Sequence, residues 1–565
     1  EDPRGMSSHE QATEALASTD PLHFPAAFPE VFMDAAGFDV IVGNPPWEKT
    51  QVERHEFWGR YHPGLRGVSQ RERENLMDKL EQERPDLQKE FLRQKEIEEV
   101  RGNILTNGPY PGIGASHPDF YMAFSWRFWN LTSSQGKVGI VLPRSAFVGP
   151  AMEEFRKRIL SGSVVQDLTF LKNKASWVFE GVEPRYTIAL FSYDKQDQDG
   201  ENTLPLRGPF PDPISYEEAM KLDSPRFSTE KAKGWAGSAT FPLLPARPAA
   251  VEVFNQMETH PRMDAGGEWK PRPLQEFNAT TDKKKDDGTR IMHFTEDPED
   301  DFWPVFKGES FSIWNPDRGT YYAWVDPEVT VDYAQDKREN SYRYAGSRSP
   351  YYEMAESWVH DKSTLPCFSP RIAFRDVARN DDSRTMIASL VPPEVFLTHK
   401  APTLIWPEGD EEDEAYLLGI LSSIPLDWYS RRFVELTMSF GIFNSFPIPR
   451  PGRDDRLRQR VVNLSGRLAA VDQRYADWAD AVGVEYGELE EDSKQEKIYE
   501  LDAVVAHLYG LTRKHIEVIF ETFHNGWDYE ERLNRVLDYY ADWADRLDLD
   551  HNDDPTAVPE VEDND

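Results

Sequence analysis

The sequence predicts an α/β protein that opens on a doubly wound, parallel sheet and continues into an α+β region and a helical end. Three observations predict it. Short apolar runs alternate with helical segments between residues 38 and 193, the rhythm of strand–helix–strand units. Short strand-like runs with many prolines follow from about 266 to 450. From 456 to 548 the apolar residues recur at helical spacing.

Residues 38–43 (FDVIVG) read as a largely buried strand. Residues 70–101 are charged or polar with Leu and Ile at helical spacing, a solvated helix or helical hairpin. DFYMAFSWRFWNL (119–131) predicts an aromatic-rich helix, which SSQG then breaks before the buried strand KVGIVLP (137–143). EEFRKRIL (153–160) predicts a short helix, and VVQDLTFL (164–171) and YTIALFSY (186–193) two more strands. Over residues 196–265 the pattern decays into Asp, Gly, Pro and Ser, as a linker or insert would. AYLLGILSSIPLDWYSRRF (415–433) reads as one apolar helix near the end of the mixed region. Five segments result: 1–195 with a helical insert at about 48–110, a linker at 196–265, then 266–455, 456–548 and an acidic, disordered tail at 549–565.

The chain has 565 residues, 39% of them hydrophobic, enough for several cores. Its single cysteine, Cys367, excludes an intrachain disulfide and argues against cysteine-based zinc. No histidine spacing suggests ligands, so no metal is expected. No apolar run is long enough to span a bilayer and no signal peptide opens the chain, so a cytoplasmic location is expected. The chain begins with Glu1, as a fragment or processed piece would. The formal charge is −36, which by itself opposes binding to nucleic acid. Acidity spread along the whole chain, with Arg in excess of Lys, also suits a halophile whose acidic surface stays hydrated in molar salt.

The strand at 38–43 runs straight into Asn44, Pro45, Pro46 and Trp47. Ligands of open parallel sheets bind at the carboxyl ends of strands. An exocyclic amine of adenine is a poor nucleophile because its lone pair is delocalised into the ring. The Asn44 side-chain oxygen and the Pro45 carbonyl can accept its hydrogens and favour a more tetrahedral nitrogen. The prolines hold those acceptors rigidly, and Trp47 offers a face on which a base stacks. The competing reading is a structural turn with a buried Trp.

This corner resembles motif IV, (N/D)PP(Y/F/W), of amino-group methyltransferases. HPDFYMAFSWRFWNLTSSQGKVGIVLPRSAF (117–147) is similar to the next helix and strand of gamma-type N6-adenine methyltransferases, and ASWVFEGVEPRYTIALF (175–191) to their motif VIII. WPVFKGESFSIW (303–314), SPRIAFRDVARNDDSRTMIASLVPPEVF (369–396), LLGILSSIPLDWYSRRF (417–433) and FPIPRP (446–451) resemble the target-recognition portion of large restriction–modification and phage-exclusion enzymes. The resemblance implies a partial Rossmann-like methyltransferase sheet, a target-recognition domain at 266–455 and a helical C-terminal region. It implies S-adenosylmethionine as methyl donor and double-stranded DNA with a flipped adenine as substrate. It casts Asn44, Pro45, Pro46 and Trp47 as catalytic, Phe179 as a contact of the flipped base and Phe124 as a wall for the donor's adenine ring. Ordinary core packing is the other reading of both phenylalanines.

The family's Gly-rich donor loop has no match in the 43 residues before Asn44. An N-terminal methyltransferase half or companion defence subunits are therefore expected as partners, to pair with an otherwise open strand edge. Arg371, Arg375, Arg379 and Arg384 cluster in an acidic background. They are candidates for phosphate or guanine contacts, or for pairing with Asp376, Asp381 and Asp382. Lys283–Lys285 read as a solvated loop. The alternative to an enzyme is a non-catalytic DNA-binding or assembly subunit. A pocket for a protein glutamine or an RNA base is a third reading, disfavoured by the recognition-like region.

Overall fold

The structure is a computed structural model that describes residues 22–549, apart from 35, 115, 116, 185, 197–201, 246, 268, 286, 380, 381, 435 and 525. The expected acidic tail lies outside them, but for its first residue. The chain divides into two compact units, Glu1–Phe241 and Pro242–Asp565.

The first unit is built on a five-stranded sheet. Its strands are β1 (Phe38–Gly43), β2 (Thr132–Pro143), β3 (Ser163–Lys172), β4 (Thr187–Lys195) and, beyond the short β5 (Thr203–Pro205), β6 (Arg207–Phe210). Their order is β1-β2-β4-β3-β6. β1 runs parallel to β2 and β3 parallel to β6, but β4 lies antiparallel between β2 and β3. This corrects the expectation of an all-parallel sheet. The link from β3 to β4 holds one short 3-10 turn, Lys174–Ser176. A parallel return needs a crossover of a dozen or more residues, usually through a helix, so the chain comes back beside the strand it has just left. Between β2 and β3 the helix Glu153–Gly162 does supply such a crossover. The core alternates along the strands, with Val138, Ile140, Leu142, Leu168, Phe170, Ile188 and Phe191 all buried.

Three further expectations change here. SSQG does not end the helix and start anew; it bulges inside β2, where the register jumps from Phe38 opposite Thr132 to Val40 opposite Lys137. Gly136 is needed at the bulge, since a Cβ there would lie 2.7 Å from the Phe38 carbonyl oxygen. β1 is not largely buried: it is the sheet's edge, and Val40 and Val42 are 60% and 80% exposed. Its other end is covered, because Phe38 packs edge to face on Phe24 and Phe32 of the short helices Phe24–Ala27 and Pro29–Asp34 and on Phe28 between them. Residues 203–241 are no linker, since β6 extends the sheet and Leu204, Leu206, Phe210, Phe227, Trp235 and Phe241 are buried.

The insert after the corner is a helical hairpin, Gln70–Glu83 and Pro85–Asn107. Ser69 and Glu72 form a capping box at its start. Arg54 ties the first helix down through Glu74, Asp78 and Glu81.

The second unit packs short sheets and a helical layer into one compact body. After β7 (Arg226–Ser228) in the first unit come β8 (Arg272–Leu274), β9 (Trp303–Phe306), β10 (Ala323–Val325), β11 (Arg371–Phe374), β12 (Ala388–Val391), β13 (Phe396–Leu397) and β14 (Thr403–Ile405). They form two sheets, β12-β11-β14-β8 and β10-β9-β13. The apolar helix expected at 415–433 is two helices, Glu411–Ser422 and Ile424–Ser430. Pro425 has no N–H to continue the first, and Ser423 caps the second by accepting from the Leu426 N–H.

Candidate active site

β1, β2 and β3 point the same way through the sheet, so the loops that follow them leave at one end. Two of these loops carry the residues singled out in the sequence. Asn44 is exposed, Pro45 buried, Pro46 exposed and Trp47 half-buried. Beyond Trp47 the chain is clamped to the start of the helix Phe120–Leu131. The Phe120 N–H donates to the Glu48 carbonyl at 3.0 Å, and both the N–H and Oγ1 of Thr50 donate to the Pro118 carbonyl at 3.1 Å. The corner is thus fixed on both sides, by the sheet before it and by this clamp after it.

Phe179 comes from the loop after β3 and meets Trp47 edge to face, with ring centroids 6.2 Å apart at 83°. Both rings are half-buried, so each keeps open surface. The Nε1 of Trp47 is buried with no hydrogen-bond partner among the described residues. Phe124 lies on the helix Phe120–Leu131 at 38% exposure, with its ring edge to face on Phe128 at 6.2 Å. An exposed ring on an otherwise buried, aromatic helix is not core.

Asn173 was not singled out in the sequence. Its side chain is fully buried and organises the Phe179 loop: Oδ1 accepts from the Val178 and Phe179 N–H groups at 3.2 and 3.0 Å. Its Nδ2 donates to the Phe179 and Val182 carbonyls at 3.0 and 3.1 Å. A lone Asn in LKNKAS carries no signal of this. Arg156 was missed too. It is buried, and donates to the carbonyls of Ala146, Gly149, Ser238 and Ala239 at 2.8–2.9 Å, which pins the loop after β2. Burial pushes its guanidinium down to about 10. Asp119 sits at the N-cap of the helix Phe120–Leu131 but makes no capping bond. Burial raises its carboxyl, while neighbouring Lys49 pulls it the other way.

The four arginines of the second unit fare differently. Arg371 is buried; it pairs with buried Glu276 at 2.9 Å and donates to the Val395 carbonyl. Burial raises the Glu276 carboxyl, and Arg371 opposes that rise. Arg384 is taken up by Asp427, which is fully buried, and by the Ser422 carbonyl. Arg375 is half-buried and donates to the Phe311 carbonyl. Arg379 alone of the four is exposed. The expected surface role of Arg371 is therefore corrected: its charge is used against Glu276 inside the fold. Among the described residues no group of His, Cys, Asp and Glu could hold a metal ion, and no helix is long and apolar enough to cross a membrane.

The corner lies in a stretch that is similar to restriction-modification methylases. Residues 6–78, which include the corner, match the Eco57I restriction-modification methylase family. No curated protein matches the chain. Among solved structures the chain is similar to the Type IIL restriction-modification enzyme MmeI in complex with DNA, at 13% identity and a TM-score of 0.42, over 88% of this chain and 58% of that one. It is also similar to the type IIG restriction endonuclease BpuSI, at 13% identity and a TM-score of 0.27, over 73% of this chain and 52% of that one. A nuclease-deletion mutant of the Type ISP restriction-modification enzyme LlaGI, in complex with a DNA substrate mimic, is similar over 80% of this chain and 44% of that one, at 11% identity and a TM-score of 0.32. The chain thus spans about half the length of these enzymes.

Proposed function

We propose that this chain holds and methylates a flipped adenine at N6, as part of an S-adenosylmethionine-dependent DNA methyltransferase in a restriction-modification or phage-defence system. The observation that carries this reading is the rigid corner itself, with exposed Asn44 beside the Trp47–Phe179 ring pair at 6.2 Å. Trp47 and Phe179 clamp the base. The Asn44 Oδ1 and the Pro45 carbonyl accept the two amine hydrogens, which draws the nitrogen towards a tetrahedral shape and frees its lone pair for attack. The donor, when bound, supplies an electrophilic methyl group on sulfur. Phe124 fits its adenine ring as one exposed wall. Among the described residues no Gly-rich turn precedes β1 to hold its methionine and ribose; those contacts are assigned to an N-terminal methyltransferase half or a companion subunit that pairs with the open edge of β1. DNA contact outside the pocket is assigned first to exposed Arg379.

The test is methyl transfer to duplex adenine by the chain reconstituted with a donor-binding half. Asn44→Ala should lower the rate at least about 100-fold, as loss of a donor or acceptor that acts in the transition state does. Duplex affinity should stay unchanged, because Asn44 touches no phosphate. An active Asn44→Ala enzyme removes the role.

The open edge also favours a second reading, a non-catalytic DNA-binding or assembly subunit. Val40 and Val42 present an apolar row that a companion would cover. Both readings expect the isolated chain to bind S-adenosylmethionine weakly, with Kd well above about 1 μM. Calorimetry that finds micromolar binding to residues 1–565 would refute the division of labour. Restoration of transfer by a donor-binding partner separates the two.

A further inference from the structure

The second unit contains a cavity of about 580 Å³, well inside the range of small-molecule sites, roughly 300–1,000 Å³. Its wall carries the cations Lys270, Arg272, Lys337, Arg338 and Arg348 against two acids, Asp264 and Glu276. Both acids are already engaged, Asp264 with Arg262 and Glu276 with Arg371. Lys337 is likewise paired, with Asp282. The other four cations have no carboxylate in ion-pair contact among the described residues. In a chain of net charge −36 such a wall runs against the surrounding field.

Arg338 is the sharpest case. It is 1% exposed, and its Nε is buried with no hydrogen-bond partner among the described residues. Its other nitrogens donate to neutral oxygens only: Thr364 Oγ1 at 2.7 Å, Gln335 Oε1 at 3.0 Å, and the Asp361 and Trp358 carbonyls. Burial holds its guanidinium below the usual range. A buried charge without a counter-ion is costly, and an anion in the cavity supplies one. The rest of the wall combines aromatic and apolar residues, including Trp269, Phe277 and Tyr351, with the neutral polar Gln275, Ser341, Ser349 and Asn444.

We infer that this cavity binds a nucleotide, its phosphate among Arg272, Arg338 and Arg348 and its ring against the aromatic wall. The ligand chemistry is the same whether the nucleotide is free in solution or a unit of a DNA strand. The inference is independent of the adenine pocket proposed for the first unit, so the probe is thymidine monophosphate, a pyrimidine that pocket is not proposed to take.

Equilibrium dialysis of the full chain should show thymidine monophosphate bound with Kd below about 1 mM, and thymidine at least about tenfold more weakly, a loss of one charge-assisted contact or more. Lys270 and Arg348 are exposed, so a double variant, Lys270→Gln with Arg348→Gln, should keep its melting temperature and lose at least about tenfold in affinity. Displacement of the nucleotide by a short oligothymidylate identifies a DNA strand as the source, and no displacement identifies the free nucleotide. Equal binding of thymidine, an undiminished double variant, or no binding at a few times about 1 mM each overturns the inference.

Discussion

The corner that ends β1 and the arginine block at 371–384 are both loaded with groups suited to nucleic acid, and the fold uses them in opposite ways. At the corner, Asn44 stays exposed, Trp47 keeps an N–H with no partner among the described residues, and Phe179 is held in place by buried Asn173. In the arginine block, Arg371 and Arg384 are consumed by Glu276 and Asp427. The lesson is that rigid, shape-defined groups keep their presentation through folding, whereas charges go first to whichever buried partner the chain provides. A charge cluster read from sequence is a count of what the fold can spend before it is a surface.

The largest expected effect tests that contrast directly. Arg371→Ala should destabilise the second unit by about 3–5 kcal/mol, because it leaves Glu276 as a buried, unpaired charge. Arg379→Ala should change stability by less than about 0.5 kcal/mol, as an exposed substitution does, and lower DNA affinity instead. Denaturant melts and salt-controlled DNA titrations of both variants decide it. If Arg371→Ala melts like the parent while losing DNA, the contrast is broken.

Next in size is the aromatic clamp. Trp47→Ala should lose about 1–3 kcal/mol of base binding, a stacking face, read as a fall in kcat/KM for methyl transfer. Trp47→Phe should keep most of the activity and raise the melting temperature slightly, because it also removes a buried N–H that has no acceptor among the described residues. A Trp47→Phe enzyme as impaired as Trp47→Ala would mean that the indole N–H, not the ring face, does the binding.

The smallest effect belongs to the second unit again. Glu414 is half-buried and accepts from Trp478 Nε1 at 3.1 Å, and desolvation of its carboxyl raises it to about 8 from an ordinary 4.5. Below 4.5 the group is protonated in both folded and unfolded chains and costs nothing. As pH rises towards 8 the unfolded chain ionises first, so stability falls across that window and levels off above it. Glu414→Gln should remove this slope; because the residue is only half-buried, solvent screening trims the linkage gain to roughly 1–2 kcal/mol at pH 8. Urea melts at pH 5 and pH 8 measure it; an unchanged slope means another group carries the titration.

Legibility in the sequence follows the same division. The rigid shape of the corner at Asn44 to Trp47 could be read because two prolines after a strand leave few conformations. The strands themselves could be read, since their apolar runs need burial whatever their neighbours. The direction of β4 lay in the link of residues 173–186, which among its described residues holds only one short 3-10 turn, a matter of connection rather than propensity. The fate of Arg371 could not be read, because Glu276 is 95 residues away in sequence. The two missed positioning residues, Asn173 and Arg156, act on backbone atoms, and backbone partners leave no trace in side-chain patterns. β1 misled because an apolar strand looks buried even when it is an edge.

The clamp made by Arg156 has a consequence for how the first unit folds. Two of its four acceptors, Ser238 and Ala239, lie more than 80 residues downstream of it. The Phe241 N–H donates to the Phe147 carbonyl, so the same stretch closes on the loop after β2. The segment 203–241 and the loop after β2 therefore melt together as one cooperative block. A chain cut after the last long strand, at 195, would strand Arg156 with half its acceptors and unbury Phe147. The smallest piece able to present a well-formed corner extends to residue 241.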